Sequence, residues 1–275
     1  FIGWPSPTTV VTLNAGGTLL AGSQVIDLST LNLNGGTLAS SGTPNPTNGS
    51  YFLFGTVNVT ASSTLSAQSV VMGVSGGVNF NVSSGAVLTV SGTIVRPGNG
   101  TDNGFIKSGA GTMVLGAANT YTAATTVNAG TLIVTGSTGT GAVSINSGAT
   151  LKGTGSVKGA ATVASGGTLS PGMSPGTISF TSGLTLSSGS TSSFELAQPG
   201  TAGGSCNDLV QFTGSLTLGG TLVVTKADGA AGCASSFDAG TYTLFTYTGT
   251  LAGSFDSITM PSGYVGRIDT GTASQ

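Results

Sequence analysis

The stretch from residue 104 to residue 134 reads GFIKSGAGTMVLGAANTYTAATTVNAGTLIV. It contains the triplets Gly111-Thr112-Met113 and Gly130-Thr131-Leu132, in which a small residue precedes Thr and an apolar residue follows it. Related triplets recur at intervals of roughly 18 to 27 residues, which is the length of one turn of a β-solenoid. They begin at Gly17, Gly36, Ser63, Ala86, Gly111, Gly130, Ala149 and Gly167, with later copies at Ser190 and Gly220.

The runs around these triplets alternate between apolar and polar residues. Val78, Phe80 and Val82, for example, alternate with Asn79 and Asn81, and a period of two is typical of a strand with one buried face. We expect the apolar residues of these runs to face inward and Thr, Asn and Ser to face outward. Asn and Gly between the runs tolerate the positive φ angles needed at tight corners. The sequence therefore predicts an all-β solenoid of about 12 coils, which at about 4.8 Å per stacked strand is a rod about 60 Å long.

The pattern changes towards the C-terminus, where the apolar runs become longer. Residues 237–264 also hold six of the seventeen aromatic residues. We therefore expect β-helix rungs at residues 1–169 and a thicker, hairpin-rich cap at residues 170–275.

Charge is scarce throughout the chain. Its 275 residues include 6 Lys and Arg, 8 Asp and Glu and no His, for a net charge of −2. Soluble domains average about 25% charged residues, against 5% here. Six scattered cations argue against nucleic acid or an anionic membrane as a partner, and no apolar run is long enough for direct membrane insertion. Because the chain opens at Phe1, we expect a mature or excised segment.

The stretch quoted above resembles the passenger-associated transport repeat of bacterial autotransporters. Met113 and Ala123 stand where that family usually has Leu and Gly, and both substitutions keep the character of the position. Later segments, among them the Ser-Pro-Gly motif at residues 170–172 and Asp208, resemble the C-terminal region of such passengers. The residues that carry the repeat are Lys107, Gly109, Gly111, Thr112, Leu115, Asn119, Thr120, Tyr121, Thr122, Thr125, Thr126, Val127, Gly130, Leu132 and Val134.

This resemblance implies a right-handed parallel β-helix displayed on the outer membrane of a Gram-negative bacterium or released from it. It implies an autochaperone-like role for residues 170–275, a region that folds first outside the cell and templates the rest. It also implies a linker helix and a translocator barrel in the same precursor as a partner, neither of which we expect in this sequence.

Catalytic chemistry has few residues to use. Without His, the Ser-His-Asp and Cys-His arrangements are excluded, and so are zinc sites that need His. Glu195 is the one glutamate, and its spacing suggests no carboxylate partner for glycoside hydrolysis. A polysaccharide lyase is the least favoured alternative, since Asp102 with Asn99 and Asn103 makes a weak calcium loop. We predict no catalytic residue, no metal site and no cofactor.

Two cysteines, Cys206 and Cys233, lie 27 residues apart. In a chain expected to be extracellular this predicts a disulfide that pins a loop in the cap, with free buried thiols as the alternative. We expect the aromatic residues Tyr51, Phe52 and Phe54 and those from Phe237 to Tyr264 to belong to the core, with stacking against sugars as the alternative.

Three functions remain open at this point. The chain is an adhesive module that associates with itself or binds glycans or proteins of host or neighbouring cells; a structural subunit of a filament or coat built by β-helix stacking; or a stalk that displays an N-terminal effector. Low charge removes like-charge repulsion and so favours association. We predict a non-enzymatic extracellular passenger that acts in adhesion or self-association.

Overall fold

A computed structural model describes residues 8–22, 25–41, 50–98, 101–227, 232–233 and 237–270. The chain divides into two compact units, Phe1–Ala142 and Val143–Gln275. In both, the regular structure of the described residues is β-strand. Among these residues, no helix is long and apolar enough to cross a membrane.

Most strands of the first unit are short, as expected where Gly and Asn corners interrupt alternating runs. They are β1 (Val10–Asn14), β2 (Thr18–Ala21), β3 (Ile26–Asn34), β4 (Thr37–Ser40), β5 (Tyr51–Ala61), β6 (Ser63–Leu65), β7 (Ser69–Met72), β8 (Val78–Val82), β9 (Val87–Val90), β10 (Thr93–Val95), β11 (Phe105–Ser108), β12 (Thr112–Leu115), β13 (Thr125–Val127) and β14 (Gly130–Val134).

The strands of the second unit follow the same pattern. They are β15 (Val143–Ile145), β16 (Ala149–Gly153), β17 (Ser156–Val157), β18 (Ala161–Val163), β19 (Thr168–Pro171), β20 (Thr177–Phe180), β21 (Leu184–Leu186), β22 (Thr191–Leu196), β23 (Leu209–Phe212), β24 (Leu216–Leu218), β25 (Thr221–Lys226), β26 (Phe245–Tyr247), β27 (Leu251–Gly253) and β28 (Ser257–Thr259).

Within each unit, every strand pairs with a strand about one repeat away and not with its neighbour in sequence. In the first unit the strand orders are β1-β3-β5-β8-β11-β13, with β7 pairing β5 and β10, and β2-β4-β6-β9-β12-β14. In the second unit they are β15-β18-β21-β24-β27, β16-β19-β22-β25-β28 and β17-β20-β23-β26. Parallel pairing of this kind coils the chain, so each unit is a parallel β-helix and the predicted fold class is confirmed.

The triplets of the repeat explain how the coils stack. Met113 pairs with Leu132 in parallel register, and the neighbouring Thr112 pairs with Thr131. Met113 and Leu132 are fully buried, whereas both threonines are partly exposed. Because successive side chains of a strand point to opposite faces, each triplet adds one apolar side chain to the core and one hydroxyl to the outer surface.

One alignment of the triplets differs from the sequence expectation. Leu65 pairs with Val90 and not with Leu88, so the triplet at Ala86 stands two residues out of step with the triplet at Ser63. A shift of two residues leaves every side chain on its expected face. The core therefore remains apolar in either alignment, and the alternation of the sequence does not distinguish them.

The C-terminal region also differs from expectation in its strand pairing. The named strands between residues 170 and 275 pair in parallel, as β22 does with β25 and β25 with β28. The antiparallel contacts of this region, Leu196 with Asn207 and Gly172 with Gly153, are isolated bridges. The longer apolar runs thus form further coils and not hairpins, because the run length reports burial of a strand without reporting its partner. The count of about 12 coils and the boundary at residue 170 stay predictions.

Candidate functional site

The transport repeat occupies strands β11 to β14 of the first unit, and its glycines allow the coils to approach closely. Gly109 has a φ of +72°, and a Cβ there would lie 2.2 Å from the carbonyl oxygen of Val82. Gly130 has a φ of +67°, and a Cβ there would lie 2.3 Å from the carbonyl oxygen of Gly111. Both positions therefore require glycine for space as well as for conformation. Gly111 is required only because of the limited space, since a Cβ there would lie 2.2 Å from the carbonyl oxygen of Ser83.

Lys107 is the charged residue of the repeat, and its side chain is fully buried. Its Nζ donates hydrogen bonds of 2.8 Å to the carbonyl oxygens of Ser108 and Gly109, and one of 3.1 Å to that of Ala129. Desolvation by burial lowers the pKa of Lys107 to about 8. The ammonium group thus donates hydrogen bonds to carbonyl groups at the corners of two coils. Lys107 therefore has a structural role.

Asn119 joins three consecutive coils of the first unit through its buried side-chain amide. Its Oδ1 accepts a 2.8 Å hydrogen bond from the backbone N–H of Ile94. Its Nδ2 donates to the carbonyl oxygen of Ser137 at 2.6 Å and to that of Ala117 at 3.3 Å. A polar group can be buried at low cost when its bonds are satisfied in this way, so Asn119 fixes the stacking of the coils.

Tyr121 completes the interior of the repeat. Its hydroxyl lies 2.6 Å from the Thr125 hydroxyl, and its ring packs edge-on against Phe105, with ring centroids 5.6 Å apart. Phe105 in turn packs edge-on against Phe80 at the same distance. Burial raises the pKa of Tyr121 to about 12. These three rings form a buried aromatic cluster. Of the aromatic residues expected in the core, Tyr51, Phe52 and Phe237 are buried, whereas Phe54, Tyr242, Phe245, Tyr247, Phe255 and Tyr264 are partly exposed.

The remaining polar positions of the repeat lie at the surface. Asp102 accepts hydrogen bonds from both the backbone N–H and the hydroxyl of Thr122, while Asn103 donates to the carbonyl oxygen of Met72. Asp102 and Asn103 therefore bind neighbouring coils. Asn99, the third residue of the weak calcium loop considered from the sequence, lies outside the described residues. Thr120 is exposed and Thr126 is partly exposed, whereas Leu115, Val127 and Val134 are fully buried.

One outer face of the first unit carries a column of hydrogen-bonded polar side chains, three Asn amides and one Thr hydroxyl. We call it the amide ladder: Thr12, Asn32, Asn58 and Asn81. These residues stand in register on β1, β3, β5 and β8. Asn32 Nδ2 donates to Thr12 Oγ1 at 3.3 Å, Asn58 Nδ2 to Asn32 Oδ1 at 3.0 Å, and Asn81 Nδ2 to Asn58 Oδ1 at 3.4 Å. All three bonds point towards the preceding coil, so the side chains are ordered before any partner arrives.

A second column runs beside the ladder. Asn34 Nδ2 donates to Asn14 Oδ1 at 3.4 Å, and Thr60 Oγ1 donates to Asn34 Oδ1 at 3.3 Å. Sequence reasoning placed such residues on the outside of the coils but did not foresee these bonds. The signal was present, since Asn recurs between apolar residues in successive coils.

The other outer face of the first unit carries hydroxyls instead. Thr18 pairs with Thr37, Thr37 with Thr64, and Thr64 with Thr89. The second unit has an equivalent column on its own sheet, in which the paired residues are Thr150, Thr168, Thr191, Thr221 and Ser257. A column of Thr or Ser hydroxyls is thus the repeated surface feature of this face in both units.

The predicted disulfide is confirmed in the second unit. Cys206 and Cys233 are bonded, with their Cα atoms 5.3 Å apart. Beside them the buried Asn207 accepts hydrogen bonds from the backbone N–H groups of Ala197 and Gln198 and donates to the carbonyl oxygens of Gln198 and Thr201. The disulfide and this amide therefore both hold the loop between β22 and β23.

Asp208 follows directly and is fully buried. Its Oδ1 accepts a 2.8 Å hydrogen bond from the N–H of Gly176, and its Oδ2 accepts one of 2.8 Å from the N–H of Glu195. Burial raises the pKa of Asp208 to about 7, with a smaller contribution from the charge of Glu195. The positive charge of Lys152 lowers this pKa. Since both Asp208 oxygens bind the backbone, the carboxyl group links the loop at Pro175 and Gly176 to β22.

Groups suited to metal binding are not clustered in the part of the chain that the structure describes. No set of three or more Cys, Asp or Glu side chains there could hold a metal ion. Several acidic residues bind the backbone instead: Asp256, for example, accepts hydrogen bonds from the Ser188 hydroxyl and the N–H groups of Gly189 and Gly220. These contacts tie the corners of three successive coils together.

The chain is similar to known proteins in two respects. Residues 105–134 match the family model described as passenger-associated-transport-repeat. A segment of 108 residues, 39% of the chain, is 41% identical to the adhesin BmaC autotransporter of Brucella suis biovar 1 (strain 1330). The match covers 3% of that much longer protein. Both matches support an autotransporter passenger, which is exposed at the surface of a Gram-negative bacterium or released from it.

Proposed function

We propose that this passenger segment acts in adhesion, by self-association through the amide ladder of the first unit. The observation that carries the proposal is the column of hydrogen-bonded amides on Asn32, Asn58 and Asn81. The relative from Brucella suis bears the name adhesin, which supports a role in adhesion for this passenger as well.

The ladder has the chemistry of a self-complementary surface. Each Asn amide has two N–H donors and an oxygen with two lone pairs, so Asn32 and Asn58 each keep one donor and further acceptor capacity after bonding within the column. A second copy offers the same groups at the same strand spacing of about 4.8 Å. The two patterns therefore stay matched over several coils.

The energetics favour contact on this face for two further reasons. The ladder residues carry no charge, so two copies meet without like-charge repulsion. The bonds within the column already restrict the side-chain rotamers, which reduces the entropy lost on association. Surface glycans and proteins of other cells are the remaining partner classes for the same face.

We infer a non-enzymatic role from the chemistry of the chain. It has no His and one glutamate, Glu195, whose backbone N–H serves to bind Asp208. Turnover of any polysaccharide by the wild-type chain that is lost in a folded variant with Glu195, Asp102 and Asp208 replaced would contradict a non-enzymatic role.

The test of self-association is sedimentation of the purified chain over a concentration series, together with clumping of beads coated with it. We expect the double variant Asn32→Asp and Asn58→Asp to abolish clumping, because it places two carboxylates on each contacting face. The matched control is Thr37→Asp with Thr64→Asp, on the other outer face of the same unit. Circular dichroism confirms that both variants are folded.

The outcomes separate the candidate functions. Loss of clumping in the ladder variant alone supports the proposal. Equal loss in both variants, or a wild-type chain that stays monomeric at every concentration, contradicts it. Filaments in negative-stain electron microscopy that persist in the ladder variant would favour the structural-subunit function instead.

A further inference from the structure

Asn34 is the last residue of β3, and it lies on the outer face that carries the amide ladder. Its side chain is exposed. Two long hydrogen bonds hold its amide in the second column: Nδ2 donates to Asn14 Oδ1 at 3.4 Å, and Oδ1 accepts from Thr60 Oγ1 at 3.3 Å. The amide is therefore ordered but weakly held.

The residue that follows, Gly35, supplies a backbone nitrogen with little around it. Gly35 lies beyond the end of β3 and has a φ of +85°. Its N–H donates a 3.0 Å hydrogen bond to the Ser63 hydroxyl. Because glycine has no Cβ, its own nitrogen is less hindered than that of any other residue. A backbone nitrogen that follows Asn is also the nearest nucleophile to the carbon of the side-chain amide, so Asn34 and Gly35 form a reactive pair.

Asn103 and Gly104 form a second Asn-Gly dipeptide among the described residues, and the structure holds it differently. Asn103 Nδ2 donates to the carbonyl oxygen of Met72 in another coil at 3.3 Å. Gly104 is buried, and a Cβ there would lie 2.0 Å from the carbonyl oxygen of Ala124. Reaction at Asn103 therefore requires local opening of the coils, whereas Asn34 can react at the surface.

We propose that Asn34 is a deamidation site. The nitrogen of Gly35 attacks Asn34 Cγ, and the bond from Cγ to Nδ2 breaks, so that Nδ2 leaves as ammonia with the amide proton of Gly35. Water then adds to one carbonyl of the cyclic imide and opens it, which leaves aspartate or isoaspartate at position 34. Thr60 Oγ1, which donates to Asn34 Oδ1, stabilises the negative charge that develops on this oxygen during the attack.

The product changes the surface beside the amide ladder. A carboxylate at position 34 has no N–H to donate to Asn14 Oδ1. It also places a negative charge two residues from Asn32, about 7 Å along the strand, so two copies would meet with like charges on this face. Deamidation therefore limits self-association as the protein ages. This consequence rests on the function proposed above, whereas the modification itself does not.

Peptide mapping by mass spectrometry during incubation at mildly alkaline pH tests the modification. We expect Asn34 of the folded chain to be converted at least about tenfold faster than Asn103, because Asn103 reacts only after local opening. In urea, where neither site is folded, the two rates should become similar, because both dipeptides are Asn-Gly. Asn32 and Asn58 are matched controls on the same face; Leu33 and Val59 follow them, and we expect both to stay intact.

The rates decide between two outcomes for the modification. Faster conversion of Asn34 than of Asn103 in the folded chain, with the difference lost in urea, supports the proposal. Equal rates in the folded chain, or an Asn34 that stays intact while the unfolded chain is converted, would overturn it.

A matched pair of variants tests the consequence for self-association. Asn34→Gln keeps an amide but lengthens the side chain, which disfavours ring closure, and Asn34→Asp carries the product charge from the start. We expect clumping of coated beads to fall in the wild type as Asn34 is converted, to persist in the Gln variant and to be weak in the Asp variant throughout. Circular dichroism confirms that both variants are folded.

Wild-type clumping that persists after full conversion of Asn34 would overturn the consequence alone. A fresh wild-type chain that never clumps would overturn both the consequence and the proposed function, and the mass-spectrometric rates would still decide the modification.

Discussion

The transport repeat and the last strands of the second unit have the same alternation of apolar and polar residues, yet they differ in burial. Leu115, on β12 of the repeat, is fully buried, and β12 pairs with β9 on one side and β14 on the other. Leu251, on β27, is partly exposed and its strand pairs on one side within the described residues. In a β-helix, the following coil thus decides burial as much as the residue type does.

The largest expected effect tests this difference directly. Leu115→Ala should lower the free energy of unfolding by about 3 to 4 kcal/mol, because it removes contacts on both sides and leaves a cavity. Leu251→Ala should cost about 1 kcal/mol, because its side chain already contacts solvent. Urea unfolding followed by circular dichroism measures both. Equal costs would show that the two coils are covered to the same extent.

The second prediction concerns the disulfide of the C-terminal region. Replacing Cys206 and Cys233 by Ser should cost about 3 kcal/mol in the chain-entropy model, because the bond restricts a long loop of the unfolded chain. Hydrogen exchange should show faster opening near Asn207, while amides of residues 105–134 keep their protection. If the amides of residues 105–134 lost protection to the same extent, the prediction would be wrong.

The third prediction uses the buried carboxyl of Asp208. Because its pKa is raised to about 7 in the folded chain, the folded state binds more protons than the unfolded state between about pH 4 and pH 7. This contribution to stability is complete below about pH 4 and is lost as the pH rises through 7. We expect Asp208→Asn to flatten the pH dependence of unfolding across this range.

The difference between wild type and variant at each pH isolates this one group. Asp256, whose pKa is lowered by the Ser188 hydroxyl, titrates equally in both proteins and cancels. A difference that does not change between pH 4 and pH 8 would show that Asp208 is ionised in the folded chain throughout.

The smallest effect is expected from Lys107 in the repeat, and it has the opposite sign. Its pKa of about 8 in the folded chain lies below the usual 10.5, so the unfolded state binds more protons between these values. Stability should therefore rise with pH from about 8 to 10.5, relative to Lys107→Met. Urea midpoints of the two proteins at pH 7.5, 9 and 10.5 measure this slope. Parallel curves would mean that the three carbonyl bonds compensate fully for burial.

The sequence alone was sufficient for the fold class and for the face on which most side chains lie. The alternation around Met113 and Leu132 predicted their burial, and the triplet threonines Thr112 and Thr131 were correctly placed outside. These features follow from local rules, the period of two in a strand and the freedom of Gly at corners. The pairing of Cys206 with Cys233 also followed from the sequence.

Other features depended on which residues the coils bring together. The amide ladder joins side chains at least 20 residues apart, such as Asn32 and Asn58. The two-residue shift between the triplets at Ser63 and Ala86 decides which columns line up. A charged Lys107 in the core is also contrary to composition-based expectation. Carbonyl groups from two coils are needed to hold it there.

The sequence thus determined the repeat, its period and its inward and outward faces, because these depend on each strand by itself. The tertiary structure decided the register of the columns, the parallel pairing at the C-terminal end and the partners of Lys107, Asn119 and Asp208. The physical reason is that buried polar groups and stacked amides are satisfied by neighbouring coils, and the identity of a neighbour is set by stacking and not by local sequence.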